Sequence, residues 1–231
     1  MRINKYIASC GICSRRKAEK LILDNKVRIN GKVAKLIDQV YEEDNITINN
    51  NPINPQKNIY ILLNKPLGYT CTVKKIRGEK NIIELVRLKE KVFPVGRLDK
   101  NSKGLVLLTS DGDFAQKIIH PSYNHEKIYE TILNNDINNK QIKKLLEGIT
   151  IKVDDEKYLA RAKKIRKISG KKLEITLTEG KKRQIRKMID SLGLKVVELK
   201  RTRLAGLSLD GLIEGKWRHL TSKELKKLGD F

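Results

Sequence analysis

Three stretches of this 231-residue chain place chemically capable side chains in unusual settings. The first is Pro94-Val95-Gly96-Arg97-Leu98-Asp99, continued by Lys100-Asn101-Ser102-Lys103-Gly104. Asp99 stands in a turn rich in glycine and lysine, just ahead of the apolar run Leu105-Val106-Leu107-Leu108. Such a run between turn signals suits a strand buried on both faces. Loops held by rigid core are where reactive side chains tend to be placed. The second stretch, Glu126-Lys127-Ile128-Tyr129, alternates polar and apolar and presents a phenol with a titratable hydroxyl. The third runs from Glu179 to Met188 and crowds Lys181, Lys182, Arg183, Arg186 and Lys187 into a strand-to-helix junction. Each also has an ordinary reading: Asp99 can cap a turn or pair with Arg97, Tyr129 can be core, and Arg186 can be a surface cation.

The elements that must hold these residues follow from periodicity. Ile3, Tyr6 and Ile7 recur at helical spacing until Gly11 interrupts, and Ser14 is a good N-cap for a second helix with Ala18, Leu21 and Ile22 on its apolar face. That helix opens on Arg15-Arg16-Lys17, the wrong sign for the positive end of its dipole, which points to an external anion. Lys26 to Ile29, Asn30-Gly31 and Lys32-Val33 spell strand, two-residue turn and strand, with Lys26, Arg28 and Lys32 outward. A polar stretch with Pro52 and Pro55 predicts a linker over 51–57, dividing a domain at 1–50 from one at 58–231.

In the second region strands are expected at 59–63, 105–109, 126–133, 149–153, 158–165, 173–178 and 196–199. Helices are expected at 82–88, 114–119, 141–147 and 182–192, with Gly148 and Gly193 closing the last two, and Lys200, Arg201 and Arg203 extend the final strand with positive charge. Thr221 and Glu224 form a capping box for a C-terminal helix. Strands joined by hairpin-like turns, with few helices between, indicate an α+β domain with a mainly antiparallel sheet. No internal repeat is visible.

Fifty Lys and Arg against 27 Asp and Glu give a net charge of +23, which suits a polyanion, nucleic acid first. Anionic membrane is the rival, but no apolar run reaches the roughly 18 residues of a spanning helix. Met1 to Tyr6 lacks the apolar core of a signal peptide, so a cytoplasmic protein is expected. Three cysteines cannot all pair. Cys10 and Cys13 have C-x-x-C spacing, yet Cys71, His120, His125 and His219 are too scattered to complete a zinc site, so no metal is expected.

Two short helices followed by a basic hairpin, carried by Ser14-Arg15-Arg16-Lys17-Ala18 and Val27 to Lys32, resemble the S4 RNA-binding domain. Gly96-Arg97-Leu98-Asp99 with Ser102-Lys103-Gly104-Leu105 resembles the catalytic motif of the pseudouridine synthases, in the branch that modifies ribosomal RNA and carries an S4-type domain. Asn64 to Tyr69, Glu126 to Tyr129 and Glu179 to Met188 match that family's other segments in order, over nearly the whole chain. The stretches at 3–7, 9–16 and 124–127 look most like its large-subunit, 23S rRNA members of RluF type.

The resemblance implies isomerisation of uridine, which needs no cofactor. It implies that Asp99 acts as nucleophile or base at the ribose and that Arg186 keeps it ionised in a dry site. Tyr129 is implied to stack on the uracil and help remove the C5 proton, and Arg97 to enter the RNA stack where the uridine leaves it. Ile185 would wall the base pocket or sit in core. Lys5, Arg15, Arg16, Lys17, Lys26, Arg28 and Lys32 are the expected RNA contacts of a monomer. Lys181-Lys182 stands where relatives often place a neutral residue. Two rival classes are a non-catalytic S4-domain assembly protein and a DNA-binding protein using 14–24 as a recognition helix.

Overall fold

A computed structural model describes residues 1–229. The chain divides into two compact units: Met1–Ile59 with Leu88–Val92 and Thr109–Gly112, and the remainder from Tyr60 onward. In the first, α1 (Ile3–Ser9) and α2 (Arg15–Leu23) precede β1 (Val27–Ile29), β2 (Lys32–Val33), β3 (Ile46–Ile48) and β4 (Asn51–Pro52). The Ser14 hydroxyl accepts from the Lys17 N–H at 3.4 Å, which starts α2 as its sequence requires. Asn30 and Gly31 both take positive φ, the backbone of a two-residue turn whose twist matches the strands it joins. Ile3, Ile7, Ala18, Ile22, Val27 and Ile46 fill the core between the helices and the sheet, which runs β2-β1-β3-β4.

The linker expected over 51–57 therefore begins later. Asn51 and Pro52 pair with Ile48 and Thr47, and the Ile53 N–H donates to the Ile46 carbonyl at 3.0 Å while its side chain enters the core. Pro52 is tolerated because β4 is an edge strand, where a missing N–H faces no partner.

The second unit continues with β5 (Tyr60–Lys65), α3 (Ile83–Val86), β6 (Phe93–Val95), β7 (Lys103–Thr109), α4 (Gly112–Ile119), β8 (Lys127–Leu133) and α5 (Asn139–Glu147). Then follow β9 (Ile149–Val153), β10 (Glu156–Ala160), β11 (Lys164–Lys167), β12 (Lys172–Leu177) and α6 (Gln184–Asp190). Last come β13 (Val196–Leu204), β14 (Leu207–Ser208), β15 (Trp217–His219) and α7 (Ser222–Lys227). A nine-stranded sheet runs β11-β12-β8-β13-β7-β5-β15, with β14 on β13 and β6 on β7. Its pairs are mainly antiparallel, as expected, but β13 meets β7 in parallel.

Leu105, Val106, Leu107 and Leu108 are all fully buried, so β7 is the apolar centre of the unit. Each such side chain contributes roughly 1.5–3 kcal/mol of burial, and together they give the preceding Asp99 loop a rigid floor. Strands β6, β14 and β15 lie outside the expected ones, and two expected elements take other bounds. The strand predicted at 158–165 is split, because β10 folds back on β9 as a separate hairpin through Asp154 and Asp155, both at positive φ, whereas β11 joins the main sheet. Helix α6 is shorter than 182–192, because Arg183 takes a left-handed conformation (φ 55°) and the helix starts only after it.

The C-terminal capping box forms. Thr221 and Glu224 exchange hydrogen bonds, and Arg218 donates twice to the Glu224 carboxylate at 2.7 Å. These bonds pull the Glu224 pKa down from 4.5 to about 2. A depressed carboxylate stabilises the fold above its unfolded pKa and loses that stabilisation as pH falls through its folded one. Glu224→Gln should lower Tm by about 2–6 °C at pH 7. The difference should close between pH 4.5 and 2, as thermal melts across that range would record.

Candidate active site

Asp99 lies in the loop between β6 and β7, and three devices hold that loop. The Ser102 N–H donates to the Asp99 carbonyl at 3.0 Å, closing a turn. The Leu98 side chain is buried, and its N–H donates to the Cys71 sulfur at 3.3 Å. Beneath sits Lys65, completely buried, whose ammonium donates to the carbonyls of Ser102 at 2.6 Å, Pro66 at 3.0 Å and Lys100 at 3.4 Å. Burial lowers the Lys65 pKa, while Cys71, Asp99 and Glu214 act to raise it. The Asp99 carboxylate itself is half-buried and, among the described residues, accepts no hydrogen bond and forms no ion pair.

Gly104 pairs with Arg201 where β7 meets β13. A Cβ placed there would lie 2.2 Å from the Arg201 carbonyl oxygen, so the two strands can approach only over glycine. Arg201 is buried and donates through Nε to the Leu105 carbonyl at 2.8 Å, while one terminal nitrogen has no partner among the described residues. Across the sheet Arg201 stands opposite Tyr129, which β12 flanks with Ile175. Arg201 also acts on the Cys71 thiol, which burial pushes up and the Leu98 N–H, Lys65, Arg201 and Arg97 pull down. Tyr129, in β8, thus stands opposite the arginine that bonds β7, the strand that follows the Asp99 loop. Its hydroxyl has no hydrogen-bond partner among the described residues.

Helix α6 brings Arg186. Its start is fixed by a small network: Tyr158 donates its hydroxyl to Glu179, Gln184 donates its amide to the same carboxylate, and the Lys181 N–H donates to Gln184 at 3.0 Å. The bond to Glu179 pushes the Tyr158 pKa up to about 12. The Arg186 guanidinium donates to the Asn101 carbonyl at 2.6 Å and to the Val196 carbonyl at 3.0 Å. Burial lowers its pKa and Arg183 adds to this, while Asp99 and Asp190 oppose it.

The direct Asp99–Arg186 ion pair implied by the sequence is therefore not made. The guanidinium binds the backbone two residues beyond Asp99 and meets the carboxylate only through its field. Arg186→Met removes both the bridge and the charge, and turnover should fall by about 10²–10³. Arg186→Lys keeps the charge and should retain several-fold more activity than Arg186→Met, measured in single turnover. Equal losses would make the bridge to Asn101 and Val196 the whole of its role.

Arg97, beside Asp99, is exposed, and its side chain is unpaired among the described residues. Ile185, a possible wall for the base by its sequence position, is buried in the core, where it lines a small void with Leu145, Ala162, Ile165, Ile175, Met188 and Ile189. Sequence reasoning misses Lys65 and Cys71 as site residues and reads Arg201 only as charge. The one local signal is a lysine ending an otherwise apolar strand just before Pro66.

In the first unit Arg15, Arg16, Lys17 and Lys32 are exposed. Lys26 pairs with Asp24 at 3.7 Å, and Arg28 is half-buried, donating to the Gly31 carbonyl at 3.0 Å. Lys5, on α1, is half-buried. No helix among the described residues is long and apolar enough to cross a membrane, and no cluster of metal-binding side chains occurs among them.

The model for RNA pseudouridylate synthases matches residues 59–191, and that for the S4 domain matches residues 1–46. An RNA pseudouridine synthase of Aquifex aeolicus is 39% identical, spanning 99% of this chain and 93% of its own. The dual-specificity RNA pseudouridine synthase RluF of Salmonella typhi is 40% identical, over 97% of this chain and 77% of its own. Ribosomal large subunit pseudouridine synthase B of Bacillus subtilis is 36% identical over 98% and 95%. A crystal structure of a pseudouridylate synthase superposes with a TM-score of 0.72 at 31% identity, covering 99% of both chains. Both units are accounted for along their length, and the chain belongs to the RNA pseudouridine synthases that carry an N-terminal S4 domain.

Proposed function

We propose that this enzyme isomerises a uridine of ribosomal RNA, 23S before 16S, with Asp99 as its catalytic carboxylate. The reading rests on the Asp99 side chain: half-buried, held by a rigid loop, and spending none of its acceptor capacity on the protein. The N1–C1′ glycosidic bond breaks, the base turns, and C5 bonds to C1′. The C5 proton leaves and N1 gains one, so no redox cofactor is required. Asp99 acts at the ribose as nucleophile or base. Tyr129, unpartnered at its hydroxyl, offers a π-face to the uracil and a hydroxyl to help remove the C5 proton. Arg97 is free to replace the flipped base in the stack, partly offsetting an unstacking cost of about a few kcal/mol. The enzyme acts as a cytoplasmic monomer. The preference for 23S rests on the large-subunit and RluF-named relatives. Incubating the protein with separate 23S and 16S transcripts and mapping pseudouridine in each tests it; conversion confined to 16S would reverse the assignment.

The first unit supplies grip. Arg15, Arg16 and Lys17 open α2 where its own dipole disfavours cations, so phosphate relieves an unfavourable arrangement. Replacing all three by alanine should flatten the log–log salt dependence of RNA binding by about 0.7–0.9 for each phosphate left without its cation. The melting temperature should not fall. An unchanged slope in a filter-binding salt series would remove these residues from the interface.

A further inference from the structure

The first unit holds a cleft that the isomerisation does not use. It has a volume of about 350 Å³ and is lined by Arg2, Asn4, Glu19, Leu36, Ile37 and Gln39. That is the lower end of the roughly 300–1,000 Å³ usual for small-ligand sites. Its walls are fixed: Arg2 and Gln39 form a β-bridge, and the Ile3 N–H donates to the Asp38 carbonyl at 3.0 Å. Asn4, only 7% exposed, donates its amide to Glu19 at 2.8 Å, and its own carbonyl oxygen has no partner among the described residues. That hydrogen bond is the only one the Glu19 carboxylate accepts among the described residues, leaving most of its acceptor capacity open. Leu36 and Ile37 form an apolar lip, with Ile37 83% exposed.

Glu19 follows Arg15 by four residues and Arg16 by three, so it shares their face of α2. A carboxylate on a face that meets phosphate is repelled by it, unless what it meets is an N–H donor. Unpaired nucleobases bring such donors into reach of a phosphate-binding surface. Guanine presents two side by side, N1–H and the exocyclic amine, matching the two oxygens of one carboxylate. Uracil sets its single N–H between carbonyls that Glu19 would repel. Adenine and cytosine place a bare ring nitrogen beside the amine.

We propose that this cleft takes an unpaired nucleobase of the RNA, guanine in preference to the others. Glu19 reads the Watson–Crick edge, Leu36 and Ile37 lie against a face of the ring, and Arg2 stacks on the base or holds its phosphate. The proposal rests on the reading that the first unit binds RNA.

Fluorescence anisotropy of the full-length protein with labelled UUUUGUUUU and UUUUUUUUU RNA tests it. The wild type should bind the guanine-containing strand about ten-fold tighter, and inosine, which lacks the exocyclic amine, should fall between. Glu19→Gln should reduce the preference below about two-fold, leaving affinity for the uridine strand equal or slightly higher because an anion is gone. Ile37→Ser, at a position too exposed to affect folding, should reduce the preference about three-fold. Equal binding of both strands by wild type, or a preference that survives Glu19→Gln, overturns the proposal and leaves RNA binding by this unit intact. So does a Glu19→Gln variant that loses affinity for both strands together with a lower melting temperature, which would make the Asn4–Glu19 bond purely structural. Failure of both strands to bind in a salt-dependent manner would instead defeat the reading of this unit as an RNA module.

Discussion

Asp99→Asn is expected to abolish pseudouridine formation, by about 10⁴-fold or more, while RNA affinity stays within about two-fold of wild type. The substitution keeps the shape of the side chain and removes only its charge and basicity. Nothing in the loop depends on that charge for a hydrogen bond. The turn closes on the Asp99 backbone carbonyl, and Lys65 binds the carbonyls of Pro66, Lys100 and Ser102. The melting temperature should therefore move by less than about 2 °C, since a side chain without partners contributes little. One side effect follows from the fields: Asp99 is among the charges that raise the Lys65 pKa, so its neutralisation lets burial lower that pKa further. A purified Asp99→Asn protein that converts uridine within about ten-fold of the wild-type rate would show the carboxylate to be dispensable.

Lys65→Met should damage both stability and chemistry. Methionine fills much of the volume but leaves the Ser102, Pro66 and Lys100 carbonyls without their shared donor. A bond from a charged donor is worth about 1.5–3 kcal/mol net, and relief from burying an ammonium offsets part of that loss. A net cost of roughly 2–4 kcal/mol corresponds to a fall in Tm of about 5–15 °C. The three carbonyls belong to the two turns that frame Asp99, so the carboxylate should lose its position. Displacement on the order of 1 Å costs about 10²-fold in rate. RNA binding should be nearly unchanged, since Lys65 is fully buried. Melting curves and single-turnover rates on one preparation check both halves. A stable Lys65→Met enzyme with full turnover would show that the loop holds itself.

The parts legible from sequence are those set by short-range pattern. The run from Leu105 to Leu108 announces the buried strand, Asn30-Gly31 the hairpin, and Thr221 with Glu224 the last helix, because in each the deciding contacts lie within a few residues. Tyr129 is legible through the alternation of β8, and its position opposite Ile175 and Arg201 is what that alternation requires of a half-buried strand.

What escapes depends on partners far along the chain. Lys65 is read locally as a turn residue, and only folding brings the Lys100 and Ser102 carbonyls to its ammonium. Arg201 reads as strand-end charge until β13 pairs with β7 and its guanidinium meets Leu105. The pairing of β15 with β5, residues 217–219 against 61–63, has no local signal at all. Sequence suggests that an aspartate in a dry site needs a cation nearby, with Arg186 as its partner. Here Lys65 binds the carbonyls of the turns and Arg186 those of Asn101 and Val196, and both reach Asp99 only through space. The cations that build the loop thus leave the carboxylate unoccupied.

The most direct test of the account is a pseudouridine map of ribosomal RNA from cells lacking this protein, complemented with wild type or with Asp99→Asn. The account predicts at least one position, in 23S RNA, that loses its pseudouridine on deletion, regains it with wild type, and stays uridine with Asp99→Asn expressed at equal level. A map unchanged by the deletion, or one restored by Asp99→Asn, would contradict it.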